Sequence, residues 1–115
     1  MSSTDINEIK MYRGTDKTIN LVVKRNNDLY DISSCVITMY IKQDRSHNDS
    51  DAIITKEGTI VDAENGQVEF YLVPSDTEEE DRLEDDVSYP VYFKLVTPLG
   101  KKYTVLRSWF TLKPL

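Results

Sequence analysis

A chain of 115 residues with one cysteine, one histidine, one tryptophan and four each of glycine and proline excludes several kinds of protein at once. With Cys35 alone no intrachain disulfide can form, so the fold must stand on packing and sheet hydrogen bonds. One cysteine and one histidine cannot close a structural zinc site without carboxylates. The glycines are isolated turn residues, which leaves no loop to cradle a phosphate. No apolar run approaches the roughly 18 residues that span a bilayer. The opening MSSTDINEIK has neither the charged n-region nor the apolar h-region of a secretory signal, so synthesis and folding in a cytoplasm are expected. There is no basic stripe to collect phosphates, and nucleic-acid binding is not expected.

What is present is globular: 39% of residues are hydrophobic and 30% charged. A chain of this length buries roughly two-thirds of its unfolded surface in one core. Net charge is −6, and residues 76–86, DTEEEDRLEDD, hold eight acids and one arginine, or −7, which leaves the remainder at about +1. The acid is local and the body near neutral. Two uses fit it: meeting a basic patch on a partner, or keeping an exposed edge from pairing wrongly, of which the second needs no partner.

Hydrophobic residues recur every second position along most of the chain, the period of strands that are buried on one face. In KTINLVVK, residues 17–24, Ile19, Leu21 and Val23 share a face; in CVITMYIKQ, residues 35–43, Ile37, Met39 and Ile41 do. Asn26-Asn27-Asp28 turns the chain between the first of these and a short strand around Leu29 to Ile32. DRSHNDSD, residues 44–51, reads as a polar loop, and Ala52–Lys56 and Thr59–Val61 as two short strands hinged at Glu57-Gly58. Glu64-Asn65-Gly66 is a hairpin signal leading into QVEFYLV, where Val68, Phe70 and Leu72 point inward and Glu69 and Tyr71 outward. Pro74 ends that strand, and Ser75 or Asp76 is expected to cap a short helical turn with Glu78 to Glu80 at its positive end. Val87–Thr97 is the next strand, with Pro90 suggesting an edge or a bulge, and Pro98-Leu99-Gly100-Lys101 turns it into Lys102–Leu112. No stretch of helical period reaches ten residues. The predicted fold is all-β: an antiparallel immunoglobulin-like β-sandwich of about seven to nine strands, with a small barrel as the alternative. Residues 1–9 read as an N-terminal arm and 10–115 as one domain.

Candidate chemistry is sparse. His47 lies in the polar loop with no nucleophile elbow to serve, and Cys35 opens an apolar strand without an electropositive neighbour, so each has an ordinary structural role. Asp44, Asp49 and Asp51 are close in sequence, yet their loop lacks the glycine and distal glutamate of an EF-hand, and a solvated acidic loop is the expected reading. No catalytic residue, cofactor or metal site is assigned, and the chain is not expected to be an enzyme. The aromatics carry more information. Phe70 and Phe93 fall on core faces, whereas Tyr40, Tyr71 and Tyr92 alternate with core residues. The last strand is half apolar on both faces, with Tyr103, Val105 and Trp109 on one and Leu106, Phe110 and Leu112 on the other, as in a central strand. Tyr40, Tyr71, Tyr92 and Trp109 are the candidate interface residues, since Tyr and Trp are enriched as contact anchors.

Three stretches resemble a known family. RGTDKTINLVVKRNNDLYDIS is similar to the opening of the immunoglobulin-like domains of tailed-phage baseplate and tail proteins, such as the N-terminal domain of baseplate upper proteins. IVDAENGQVEFYLVPSDTEEE resembles that family's middle hairpin, and YFKLVTPLGKKYTVLRSWFTL its closing one. The sequence departs from the pattern where Asp86-Val87-Ser88 precedes the Tyr-rich strand, a place that often has a glycine, and where Ser33-Ser34 stands for a common Thr-Gly. The resemblance implies a non-enzymatic structural component of a phage virion, located in the tail, baseplate or collar. It would contact other tail or baseplate proteins, most simply as a homo-oligomeric ring. In the family the domain commonly attaches a receptor-binding apparatus; here no such domain is visible after the sandwich, and a free-standing assembly module is expected. The alternative is a carbohydrate-binding or adhesin module whose outward Tyr and Trp stack on host surface glycans. That reading predicts a monomer with its aromatics clustered on one exposed face, where the assembly reading predicts aromatics split between core and subunit contacts.

Overall fold

Alternation along the chain becomes two facing sheets in the computed structural model, which describes residues 2–3 and 8–114. The strands are β1 (Ser2–Ser3), β2 (Glu8–Tyr12), β3 (Lys17–Arg25), β4 (Asp28–Leu29), β5 (Val36–Ile41), β6 (Ile54–Glu57), β7 (Thr59–Asp62), β8 (Gln67–Leu72), β9 (Ser88–Val96) and β10 (Lys102–Lys113). One sheet has the order β1-β3-β8-β7, with β4 flanking β3; the other runs β2-β10-β9-β5-β6. The fold is an all-β immunoglobulin-like sandwich, as the alternation predicts. Two of the ten strands among the described residues, β1 and β4, are only two residues long.

Ile19, Leu21 and Val23 from β3, Ile37, Met39 and Ile41 from β5, and Val68, Phe70 and Leu72 from β8 are all buried between the sheets. The Phe70 and Phe93 rings meet across the interlayer at 5.2 Å, edge to face, a geometry favoured by the ring quadrupoles. Asn26 and Asn27 both take positive φ, 54° and 67°, and make the tight turn between β3 and β4. Gly58 is the point where the chain leaves one sheet for the other. A Cβ there would lie 2.5 Å from Val68 Cγ2 and 3.0 Å from the Phe70 ring, so only glycine lets the backbone cross this close to the core. Tyr89, buried at the start of β9, accepts a hydrogen bond from the Glu84 amide at 2.7 Å and ties the β8–β9 crossover to the core, the arrangement known in such sandwiches as a tyrosine corner.

Five local expectations are corrected. β2 runs parallel to β10, so one pair of this otherwise antiparallel sandwich is parallel, with Glu8–Tyr12 beside Trp109–Lys113. Glu8 and Ile9, read as part of an arm, belong to β2, Ile9 is in the core, and Ser2–Ser3 pair with β3; Met1 and residues 4–7 of that arm lie outside the described residues. Pro90 is in a central strand rather than at an edge. Its carbonyl accepts the Lys42 amide just past the last β5–β9 register pair, Ile41 with Val91, so the side of Pro90 that lacks a donor faces the end of β5. In β10 a bulge between Thr104 and Leu106 breaks the alternation, which is why Val105 is buried although Trp109, two pairs further along, faces out. The helical turn α1 (Pro74–Thr77) has Val73 at its N-cap, and Asp76 reaches back to accept the Val73 amide at 2.8 Å. Glu78 stands at the C-cap, so Glu78–Glu80 follow the turn instead of occupying its positive end.

Candidate interaction face

Alternate residues of β5, β9 and β10 that do not enter the core line the outer face of the β2-β10-β9-β5-β6 sheet. Cross-strand register sets Tyr40 opposite Tyr92, Tyr92 opposite Arg107, Thr38 opposite Lys94, and Trp109 opposite Pro90. Tyr40, Tyr92 and Trp109 are therefore brought onto one face, and Trp109 is exposed while the two tyrosines are half-buried. Tyr71 is on the other sheet; it is exposed there and donates its hydroxyl to Glu69, a contact that raises its pKa. The four candidate residues thus form a cluster of three and an isolated one.

Sequence reasoning missed what covers the cluster. Residues 43–53 fold back over the sheet, and Asp49, in a 3-10 turn (Asp49–Asp51), pairs with Lys42 at 2.6 Å and takes both oxygens to Lys94 at 2.7 and 2.8 Å. Lys42 is almost fully buried, donates also to the His47 carbonyl at 3.1 Å, and stands 4.9 Å from the centre of the Tyr92 ring; Lys94 is 5.6 Å from the Tyr40 ring. Arg45 stacks on Trp109 at 4.9 Å. Partial burial pushes the Asp49 carboxyl up, and the two lysine contacts outweigh it, holding its pKa below the ordinary value. Lys42 and Lys94 were legible as outward positions in a period of two; Arg45 was not, because nothing in a polar loop says which way it folds.

The remaining sequence candidates have local roles. The Asp44 carboxylate accepts from the Ser46 amide and hydroxyl, both at 2.8 Å, and Asp49 is spent on lysines, so those carboxylates point to different partners. Cys35 is buried, and burial together with nearby Asp31 raises its thiol pKa, which makes it a poor nucleophile. In the acidic segment, Leu83 is buried as an anchor, and Arg13 donates to the carbonyls of Thr77 at 2.8 Å and Leu83 at 2.6 Å and to Asp85 at 2.9 Å. Asp76 pairs with Lys56 of β6 and Arg82 with Glu80, while Arg82 also reaches the Ile53 carbonyl, so the segment lies beside the edge strand β6.

Other parts of the surface are open to contact. The edge strand β7 exposes Ile60 and Val61, and a groove of about 570 Å³ runs along β2 between Tyr12, Lys17 and Lys113.

No protein-family profile matches the chain, and no curated protein matches it in sequence. Solved structures do share the fold. The "GspB Siglec domain" superposes with a TM-score of 0.55 at 17% identity, covering 99% of this chain and 57% of that one. The "N-terminal domain of phage TP901-1 ORF48" superposes with a TM-score of 0.55 at 11% identity, covering 97% of this chain and 92% of that one. The chain thus spans little more than half of the first and nearly all of the second. At these identities the likeness is one of fold: the chain is an immunoglobulin-like sandwich similar in fold to the N-terminal domain of a phage protein and to a Siglec domain.

Proposed function

We propose that the chain is a non-enzymatic structural component of a phage virion, an assembly module of the tail, baseplate or collar that acts through protein contacts. The observation that carries the reading is the near-complete mutual overlap with the phage TP901-1 ORF48 domain, 97% of this chain and 92% of that one, joined to the sequence resemblance carried by residues 13–33, 60–80 and 92–112. The surface supports it. Ile60 and Val61 on the edge strand β7 are apolar residues left exposed beside unpaired backbone groups, and Tyr71 is exposed on the neighbouring strand β8. Neighbouring copies in a closed ring bury such an edge heterologously.

Immunogold labelling of purified particles from the phage or prophage that carries the chain tests the location: gold at one end of the tail supports the reading, and unlabelled intact and disrupted particles overturn it. Light scattering on the purified protein tests the ring, since Val61→Lys should convert an oligomer to a monomer without changing the unfolding midpoint.

A glycan-binding reading has one observation in its favour: Trp109, Tyr92 and Tyr40 do cluster on a single face. Phe70, Phe93 and Tyr89 are in the core and Tyr71 is exposed on the opposite sheet, an arrangement compatible with aromatics divided between core and subunit contacts. The assembly reading therefore leads.

A further inference from the structure

Beside the docked loop, the outer face of the β2-β10-β9-β5-β6 sheet holds a cleft of about 290 Å³, lined by Arg45, Pro90, Tyr92, Arg107 and Trp109. We infer that this cleft seats one carboxylate-bearing sugar residue of an acidic saccharide. The volume is at the lower end of small-molecule sites, roughly 300–1,000 Å³, and fits one ring rather than a peptide helix or a long chain. Two guanidiniums line it, and among the described residues neither takes part in an ion pair, in a chain whose 20 acids outnumber its 14 bases. Asp49, the acid that docks on this face, is already held by Lys42 and Lys94. The positive charge of the cleft is left for a ligand.

Geometry narrows the ligand further. Stacking on Trp109 at 4.9 Å holds the Arg45 plane before anything binds, and Arg107 is set opposite Tyr92 by the β9–β10 register. A preorganised planar fork matches a carboxylate through two parallel charge-assisted hydrogen bonds. Trp109, which stays exposed beside the stacked Arg45, supplies apolar surface for a C–H face of a sugar ring, which a bare acidic side chain or an inorganic anion would leave empty. The inference does not rest on the assembly role: a virion module and a protein placed elsewhere can both carry this cleft.

Trp109 is the sole tryptophan, so intrinsic fluorescence reports from inside the cleft. The probes are trigalacturonate, its methyl ester and sodium sulfate. Trigalacturonate should give a saturable change, and the ester, alike in shape but uncharged, should bind about tenfold or more weakly. Arg107→Gln and Arg45→Gln should each lose about tenfold, with thermal unfolding unchanged, while Arg25→Gln on the other sheet should bind like the parent. If Arg107→Gln fails to fold, the ester comparison and Arg45→Gln carry the test. Equal binding of acid and ester, no saturable change, or an equal response to sulfate at the same concentration overturns the inference. Immunogold labelling is read separately, so failure of either proposal leaves the other standing or falling on its own data.

Discussion

Ser34 and Asp86 hold φ at +62° and +63°, a region that costs an L-residue about 1 kcal/mol or more and glycine almost nothing. They fall at the two places where the sequence departs from the glycine-bearing pattern it otherwise resembles, so the backbone keeps the glycine geometry without the glycine. Asp86 recovers part of the cost, since its amide donates to the Leu112 carbonyl at 2.8 Å and its carboxylate meets Lys113 at 3.0 Å. Ser34→Gly should therefore stabilise the protein by about 1 kcal/mol, and Asp86→Gly by less, as read from denaturant midpoints. Arg13 is the opposite case, one side chain that holds the acidic crossover by its backbone carbonyls. Arg13→Ala should cost about 2–3 kcal/mol, and Arg13→Lys should restore only part, because an ammonium cannot reproduce the fork. Ser108 is buried with no partner for its hydroxyl among the described residues, so Ser108→Ala should leave stability unchanged or raise it by up to about 1 kcal/mol in the same assay.

The strands show how far a period of two carries. The inward sets of β3, β5 and β8 were readable because each buries one face and shows the other to water, and a slip of one residue would invert every side chain. The last strand was readable as central and not as bulged: an extra residue at Val105 changes the phase without changing the composition. The β6–β7 hinge at Gly58 was legible as a break, but that the break is a change of sheet depends on Val68 and Phe70 lying beneath it. Gly58→Ala should cost about 1–3 kcal/mol through overpacking against those side chains. The docked loop is governed by charge. Because Asp49 has its folded pKa lowered, its contribution is present above its unfolded value and is lost as pH falls through the lowered folded value. Acidification below about pH 4 should undock residues 43–53 and free Arg45 from Trp109, seen as a change in tryptophan fluorescence that Asp49→Asn shows already at neutral pH.

For the whole molecule, the same sign recurs. Glu8, Asp31, Asp44 and Glu80 also have lowered pKa values, through contacts with Thr111, Ser33, Ser46 and Arg82 in turn, so protonation weakens the fold at several sites together. Thermal unfolding midpoints should fall steadily as pH drops below about 4 and change little between pH 6 and 8. The charge layout divides the molecule: acid gathers at the β8–β9 crossover beside β6, while Lys42, Lys94, Arg45 and Arg107 gather in the middle of one outer sheet face around Asp49, with Glu8 and Glu57 on the flanking strands β2 and β6 of that face. A net charge of −6 conceals that separation, which gives a partner or ligand two faces of opposite sign.

Sequence alone determined the all-β class, the inward sets of β3, β5 and β8, and the turns at Asn26-Asn27 and Asn65-Gly66, because these follow from local alternation and from which residues tolerate positive φ. The tertiary structure decided which strands are neighbours, that β2 joins β10 in parallel, and that Tyr40, Tyr92 and Trp109 share a face from which Tyr71 is excluded. It also decided that Arg45 comes to rest on Trp109. Those outcomes depend on contacts between residues far apart in the chain, where pairing register and loop docking are chosen by the packing of the whole sandwich and leave no periodic trace in the local sequence.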